Sequence, residues 1–168
     1  MSNLFPVSLF EKIKKQAHFL GFDLCELTHP EISERDQAAY EIWCANGSAA
    51  QMEYMKRDPH QRMEPAVLYP TIKSILSLGV SYFQGPLPPK PGPHFGRVAR
   101  YAWGQDYHEL IMARLEKLKS FINDETGSAQ TATLAVDTKP LLEKSLASSA
   151  GLGVIGKNTL LISSLPTV

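Results

Sequence analysis

The sequence predicts one domain of the mixed α/β class. A chain of 168 residues can bury about 70% of the surface that it exposes when unfolded, so it needs no disulfide or metal to hold a core. Segments with helical periodicity alternate with segments rich in β-formers. No connection is regular enough to prove a doubly wound parallel sheet, and we therefore predict a mixed α/β sandwich.

The first predicted elements are a helix and a strand. Ser8 and Glu11 have the spacing of a capping box, and apolar residues then recur at helical spacing until Gly21 ends the helix. A strand is predicted over residues 22–27.

A second helix is predicted to start at Ser33 and to stop near Gly47. One side of this helix is expected to carry three apolar residues, Ala39, Ile42 and Trp43. Prolines at positions 59, 65 and 70 then rule out a long helix between residues 58 and 71.

The second half of the chain continues the alternation. Residues 75–83 predict a strand, residues 85–94 form a proline-rich loop, residues 106–124 predict a helix, and residues 132–136 predict another strand. The loop is either a linker or a flexible lid.

A cluster of glycines near the end of the chain matches two nucleotide-binding patterns. Gly151, Gly153 and Gly156 fit G-x-G-x-x-G, and with Lys157 they fit a phosphate-binding loop up to Asn158, where Ser or Thr is required. Both patterns need a strand before the glycines and a helix after them.

The order of elements around this cluster is the reverse. A helix is predicted from Pro140 to Gly151, and a buried strand over residues 159–162. The glycines then serve as a helix cap and a close backbone approach, or as a backbone cradle for a large ligand. A true nucleotide loop is the least favoured interpretation.

The amino-acid sequence of this region is more specific than the spacing of its glycines. Val-Asp-Thr-x-Pro-Leu-Leu-Glu-Lys, followed by Ala-Gly-Leu-Gly-x-Ile-Gly-Lys-Asn-Thr-Leu-Leu-Ile, closely resembles the epoxyqueuosine reductase family, the cobalamin-dependent enzymes that complete queuosine in tRNA. Residues 52–65, 73–82 and 100–108 resemble three other family segments, in family order. The resemblance covers roughly residues 5 to 163.

The resemblance implies a fold, a cofactor and a partner. The expected fold is a central β-sheet flanked by helices, similar to nitroreductase-like folds. The expected cofactor is cobalamin in its base-off form, and the expected partner is the anticodon region of a tRNA. The implied reaction is the reduction of epoxyqueuosine to queuosine.

Asp137 is the candidate catalytic residue. Its position alone favours a role as N-cap of the helix predicted from Pro140. The resemblance instead aligns Asp137 with the proposed proton donor of the family. Epoxide reduction removes an oxygen as water, and an acid must protonate that oxygen as the C–O bond weakens.

The resemblance also implies a set of cofactor-binding residues. Asp106 and His108 lie in a segment that matches the family pattern Tyr-x-x-Gly-x-Asp-Tyr-His, although Asp106 also fits an N-cap with Glu109 completing a capping box, and His108 fits a structural role. The remaining cofactor candidates are Lys144, Gly153, Gly156, Lys157 and Asn158.

The net charge gives no indication of nucleic-acid binding, because 17 acidic side chains balance 17 basic ones. A local patch can still contact phosphates. The candidates for tRNA binding are Arg57, Arg62, Arg97, Arg100 and Tyr101. A solvated surface of mixed charge is the alternative interpretation.

Two departures from the family pattern matter. Lys139 stands where the family usually has a small residue, and a Lys139 ammonium turned toward Asp137 would lower the pKa of the Asp137 carboxyl group.

Family members continue into a ferredoxin-like domain with two [4Fe–4S] clusters, whereas Cys25 and Cys44 cannot ligate one cluster or a zinc ion. We therefore predict no metal site, and one N-terminal cobalamin-binding domain spanning residues 1–168. The chain is then a truncated form, a shortened homologue or half of a split enzyme that uses a separate iron–sulfur partner.

Two alternative functions stay open. The chain is a corrinoid- or tRNA-binding module without turnover, or, less favoured, a nucleotide- or flavin-binding protein. The N-terminus lacks a signal peptide, no apolar run reaches 18 residues, and reduced thiols are expected, so we predict a cytoplasmic protein without a membrane partner.

Overall fold

The computed structural model of the protein describes residues 6–83, 85–89, 92–127 and 132–163. Within these ranges the chain forms seven α-helices, which span Val7–Phe19 (α1), Glu34–Ala45 (α2), Glu53–Lys56 (α3), Pro59–Met63 (α4), Pro65–Leu68 (α5), Tyr107–Thr126 (α6) and Glu143–Ser149 (α7). The strands of the same ranges are Leu24–Thr28 (β1), Ile75–Gly79 (β2), Gly153–Ile155 (β3) and Leu161–Ser163 (β4).

The main core lies between two helices and the first sheet. β1 and β2 pair antiparallel, with Leu24 opposite Gly79 and Thr28 opposite Ile75. α1 and α6 pack against each other beside this sheet. The buried residues of the cluster are Ile13, Ala17, Phe22, Cys25 and Leu118. Ile13 and Ala17 are four positions apart, so they lie on one face of α1.

The second sheet is an antiparallel hairpin. Gly153 lies opposite Ser163, and Ile155 lies opposite Leu161. α7 contacts both sheets. The mixed helix and strand content is thus confirmed, but the described residues form two two-stranded sheets rather than one central sheet. The nitroreductase-like arrangement stays a prediction.

Local signals located most helix ends correctly. Gly21 and Gly47 have the positive φ angles, 87° and 69°, that turn the chain after α1 and α2. Ser33 caps α2 by accepting the N–H of Asp36 at 3.2 Å. Pro59 and Pro65 each start a short helix, as their fixed φ angle favours.

Two predictions for the first helices were wrong. α1 begins at Val7 after Pro6, whose carbonyl accepts the first helical N–H groups, so Ser8 lies inside the helix and caps nothing. In α2 the buried residue is Tyr40, whose hydroxyl donates to the Met55 carbonyl, and Ile42 is 60% exposed. The α3 segment covers the tyrosine side of the helix, which periodicity cannot reveal.

Three predictions for the last third were also wrong. Residues 132–136 form no strand, because no described strand pairs with them. The last helix begins at Glu143, because the N–H of Leu141 already bonds the Lys139 carbonyl in a tight turn around Pro140. β4 is exposed at Ile162 rather than buried, and β3 was not predicted.

One strand is shorter than predicted, and one predicted loop is described only in part. The predicted strand over residues 75–83 ends at Gly79, and the loop over residues 85–94 includes residues 90 and 91, which lie outside the described residues. None of the helices in the described residues is long and apolar enough to cross a membrane.

Leu118 tests the assignment of the core. Its side chain is 2% exposed, whereas Leu110 on the same helix is 51% exposed. Leu118→Ala should lower the free energy of unfolding by about 3 kcal/mol, because it leaves a cavity between α1 and α6. Leu110→Ala is the matched control and should change it by less than about 0.5 kcal/mol. Equal effects in urea denaturation would contradict the packing.

The reactivity of the Cys25 thiol tests how strongly the same core disfavours a buried charge. Burial, and secondarily the charge of Glu26, raises the pKa of the Cys25 thiol to about 11. The thiolate is the reactive form, so Cys25 should react with a disulfide reagent at pH 8 on the order of 100-fold more slowly than an exposed thiol. Cys44, which is half-buried, is the internal reference. Both thiols should react in 6 M guanidinium, and fast labelling of Cys25 in the native protein would contradict its burial.

Candidate active site

The first two residues of α7 tie two loops to one helix. Glu143 accepts the backbone N–H of Asp137 through Oε1 at 3.1 Å. Lys144 donates from Nζ to the Thr159 carbonyl at 2.8 Å, in the turn between β3 and β4. Because residues 143 and 144 are neighbours, the start of α7 links the Asp137 loop to the hairpin turn. Lys144, a cofactor-binding candidate of the sequence analysis, thus contacts the hairpin.

Asp137 lies in a strained position at the surface. Its φ angle of 51° is in the left-handed region, which costs an L-residue roughly 1–2 kcal/mol. Asp and Asn tolerate this region better than most residues do. The predicted N-cap role is wrong, because α7 begins only at Glu143. The side chain of Asp137 is exposed, as a residue that reaches a bound molecule requires.

Tyr107 holds the side chain of Asp137. Its hydroxyl donates to Oδ2 of Asp137 at 3.4 Å. Burial, and then the charge of Asp137, raises the pKa of Tyr107, so its hydroxyl stays a donor at neutral pH. Sequence reasoning missed Tyr107, although it lies inside the motif that names Asp106 and His108. Its place between two candidate residues was the available signal.

Asp106 and His108 form a local pair beside Tyr107. Asp106 caps α6, because its Oδ1 accepts the backbone N–H of His108 at 2.9 Å and contacts His108 Nδ1 at 2.8 Å. The first of these bonds, followed by the second, lowers the pKa of Asp106. A capping box would direct this bond to the N–H of Glu109, so the N-cap is confirmed without the box. The His108 ring stacks on Tyr107 with centroids 4.1 Å apart.

Arg100 and Tyr101 lie in a 3₁₀ turn over Arg100–Ala102, from which Tyr101 contacts Tyr107. The rings of Tyr101 and Tyr107 meet edge to face with centroids 6.3 Å apart. The Arg100 guanidinium lies 5.0 Å from the centroid of Phe83 and 5.8 Å from that of Trp103. Of the predicted tRNA-binding residues, Tyr101 is therefore linked to Asp137 through Tyr107, and Arg100 is its neighbour in sequence.

The other three predicted tRNA-binding residues have separate surroundings. Arg97 donates to the Pro88 carbonyl at 3.3 Å, a contact with the proline-rich loop that precedes it. Arg62 donates to the Tyr54 carbonyl at 3.2 Å, and Arg57 is exposed at the end of α3. Among the described contacts, none joins these arginines to the Asp137 cluster.

The glycine cluster forms a helix end and a hairpin. Gly151 has a φ angle of 87° and ends α7. A Cβ on Gly153 would lie 2.3 Å from the Ile162 carbonyl oxygen, and one on Gly156 would lie 2.8 Å from Oδ1 of Asn158. A strand, not a helix, leaves these glycines, so no helix N-terminus faces a phosphate and the nucleotide-loop interpretation is wrong.

The hairpin presents an apolar surface with a polar tip. Lys157 and Asn158 lie in its turn, where Oδ1 of Asn158 accepts the N–H of Leu160 at 3.3 Å. The exposed apolar side chains of the hairpin are Val154, Ile155, Leu160 and Ile162. An exposed apolar surface of this kind suits a large ligand with an apolar face.

Comparison with known proteins shows which family the chain resembles. Residues 62–138, which include Asp106, His108 and Asp137, match the family described as "Epoxyqueuosine reductase QueG, DUF1730". The epoxyqueuosine reductase of Xanthomonas campestris is 38% identical over 161 residues, or 94% of this chain and 45% of that protein. The chain is a relative of the epoxyqueuosine reductases. It spans less than half the length of that relative.

Solved epoxyqueuosine reductases have the same fold over nearly the whole chain. The Streptococcus thermophilus enzyme is 25% identical with a TM-score of 0.76, covering 95% of this chain and 42% of that one. An epoxyqueuosine reductase bound to an epoxyqueuosine-modified stem loop of tRNA-Tyr is 24% identical with a TM-score of 0.77, covering 96% and 42%. The resemblance found in the sequence is thus confirmed.

A substitution at Gly153 tests the close approach of β3 and β4 in this relative of the epoxyqueuosine reductases. Gly153→Ala should disrupt β3 and β4, because the added Cβ would overlap the Ile162 carbonyl. Gly96→Ala is the control, since a Cβ there meets nothing within 4 Å. We expect the amides of β3 and β4 to lose protection from hydrogen exchange only in the first variant. Retained protection would contradict the close approach.

Proposed function

We propose that this chain is the cobalamin-binding catalytic domain of an epoxyqueuosine reductase and acts in the reduction of epoxyqueuosine to queuosine in tRNA. The observation that carries the proposal is the carboxylate of Asp137. It is exposed, bonded by Tyr107, and contained in the residues that match the family. The names of the relatives support the reaction.

Asp137 supplies the proton in this proposal. The epoxide oxygen leaves as an alcohol or water only when it is protonated, so a positioned carboxylic acid lowers the barrier. Tyr107 donates to Oδ2, which leaves Oδ1 as the atom that carries the proton to the substrate. The tyrosine also fixes the direction of the carboxyl group, and orientation of this kind is a large part of catalysis.

The residues beside Asp137 fit a corrinoid. A corrin ring presents a broad apolar face with amide side chains around it. The hairpin offers exposed Val154 and Ile162, which lie opposite each other on one face of β3 and β4, with Lys157 and Asn158 at its tip. Asp106 and His108 would border the ring from the α6 side, and Lys144 would keep the hairpin in place. When bound, base-off cobalamin supplies a strongly reducing cobalt centre.

Electrons for the reaction must come from outside these residues. A [4Fe–4S] cluster needs four thiolates or equivalent ligands, and the sequence has only Cys25 and Cys44. No group of three or more potential metal ligands occurs in the part of the chain that the structure describes. We propose that a separate iron–sulfur segment or protein delivers the electrons. The same observation favours one second candidate, a corrinoid- or tRNA-binding module without turnover.

The tRNA is proposed to approach from the side of Arg100 and Tyr101. Proteins read unpaired RNA bases by stacking them on aromatic and guanidinium planes. Tyr101 contacts Tyr107, and the Arg100 guanidinium lies over the rings of Phe83 and Trp103. Arg57, Arg62 and Arg97 would contact phosphates farther along the anticodon region. A protein of the same fold has been solved with a modified tRNA stem loop, which supports this partner.

Cobalamin binding is the first test. Added cob(II)alamin should co-elute with the chain on gel filtration, and its visible spectrum should change to that of a form without the dimethylbenzimidazole ligand. Gly153→Ala, which disrupts the hairpin, should weaken binding, and Gly96→Ala should not. An unchanged spectrum together with separate elution would remove the cofactor proposal.

Asp137→Asn is the second test. In a protein that joins this chain to a cluster-bearing segment, the variant should keep cobalamin binding and lose at least about 100-fold in the rate of queuosine formation, because an amide cannot donate the proton. Asn accepts the left-handed conformation as well as Asp does. The control is Asp58→Asn, since Asp58 is also left-handed, with a φ angle of 48°. Activity of the Asp137 variant within threefold of the parent would contradict the proposed role.

A further inference from the structure

Glu143 makes an unusual contact for an acid in the first turn of a helix. Such acids commonly interact with the helix dipole or bond an N–H of their own first turn. The carboxylate of Glu143 instead reaches back six positions and accepts the N–H of Asp137 at 3.1 Å. The side chain of Glu143 is half-buried, whereas Glu34 and Glu109, in the first turns of α2 and α6, are exposed.

The backbone at Asp137 requires such a restraint. A non-glycine residue with a φ angle of 51° is less stable locally than the same residue in an extended or helical conformation. It stays there only when its surroundings hold it. Tyr107 contacts the Asp137 side chain, whereas Glu143 is the described side chain that bonds its backbone. The two contacts restrain different parts of one residue.

We propose that Glu143 is a positioning residue, which holds the backbone of Asp137 in the left-handed turn so that the Asp137 carboxylate meets the Tyr107 hydroxyl. No substrate contact is assigned to Glu143. Its catalytic consequence rests on the proposed function, while its structural consequence does not. Loss of the bond should release the turn and leave the cofactor surface of the hairpin in place.

The surroundings of Glu143 favour a strong restraint. Burial raises the pKa of Glu143, and the bond from the Asp137 N–H opposes that rise. A carboxylate accepts a stronger hydrogen bond than a neutral acceptor does, and a half-buried one is poorly replaced by water. The next residue, Lys144, is tied to Thr159, so the start of α7 cannot easily move away from the loop.

Amide hydrogen exchange of this chain tests the restraint without any cofactor. The Asp137 amide should exchange at least about tenfold faster in Glu143→Ala than in the parent, because its acceptor is gone. Glu143→Gln should fall between them, since an amide oxygen still accepts. Glu34→Ala removes an exposed first-turn acid from α2 and is the control, with a rate within twofold. Exchange in Glu143→Ala within twofold of the parent would overturn the proposal.

The Leu118 amide reports whether each variant is folded, because this residue lies in the core. If Glu143→Ala does not fold, the comparison uses Glu143→Gln. The three-bond coupling between the Asp137 amide and α protons then reports the φ angle directly. A larger exchange rate with a changed coupling supports the restraint, and an unchanged rate and coupling overturn it.

Kinetics of the cluster-joined protein test the catalytic consequence. Glu143→Ala should lower kcat by about tenfold with KM within twofold, and Glu143→Gln should recover much of that loss. A residue with only a structural role would lower the amount of folded enzyme and leave kcat per folded molecule unchanged. Faster exchange without a change in kcat would overturn the positioning role. Full activity of Asp137→Asn would instead remove the proposed function, and the exchange rates would still decide the restraint.

Discussion

The contact between Glu143 and the Asp137 backbone is the constraint on which the candidate site depends. It joins an irregular loop to the start of α7, a helix that is itself fixed by burial of Ser145 and Leu146. α7 also contacts both sheets, so a change in its position would reach the core and the hairpin together. The loop that carries Asp137 has little regular structure of its own, so its position depends on its contact with α7.

Two kinds of restraint meet at Asp137. The backbone bond fixes the turn, and the Tyr107 hydroxyl fixes the direction of the carboxylate. Tyr107 is in turn held by the stacked ring of His108, which Asp106 orients from the N-cap of α6. The site therefore combines groups from α6 and α7, while the carboxylate remains exposed to an incoming molecule.

Local chemistry made half of this arrangement predictable. The cap at Asp106, the stops at Gly21 and Gly151, and the length of α6 follow from residues close in sequence, and all four agree with the structure. Gly153 was also interpreted correctly as a position of close backbone approach, whereas a Cβ on Gly156 would meet side-chain atoms of Asn158 and Ile162.

The other half depends on contacts between distant residues. Residues 132–136 have strand composition, but composition does not supply a neighbouring strand. The late start of α7 depends on a turn at Pro140, and the contact of Tyr107 with Asp137 joins residues 30 positions apart. The periodicity of a helix or a strand does not predict contacts between residues so far apart in sequence. The catalytic assignment of Asp137 therefore rested on family resemblance rather than on spacing.

The central claim is that Asp137 faces the cofactor across the surface formed with the hairpin. A crystal structure of this chain with cobalamin, with the cobalt located by anomalous scattering, tests it most directly. The account predicts cobalt over the face that carries Asp137, with Lys157 and Asn158 at the edge of the corrin ring. Cobalt bound elsewhere, for example in the depression lined by Glu41, Cys44 and His60, would contradict it.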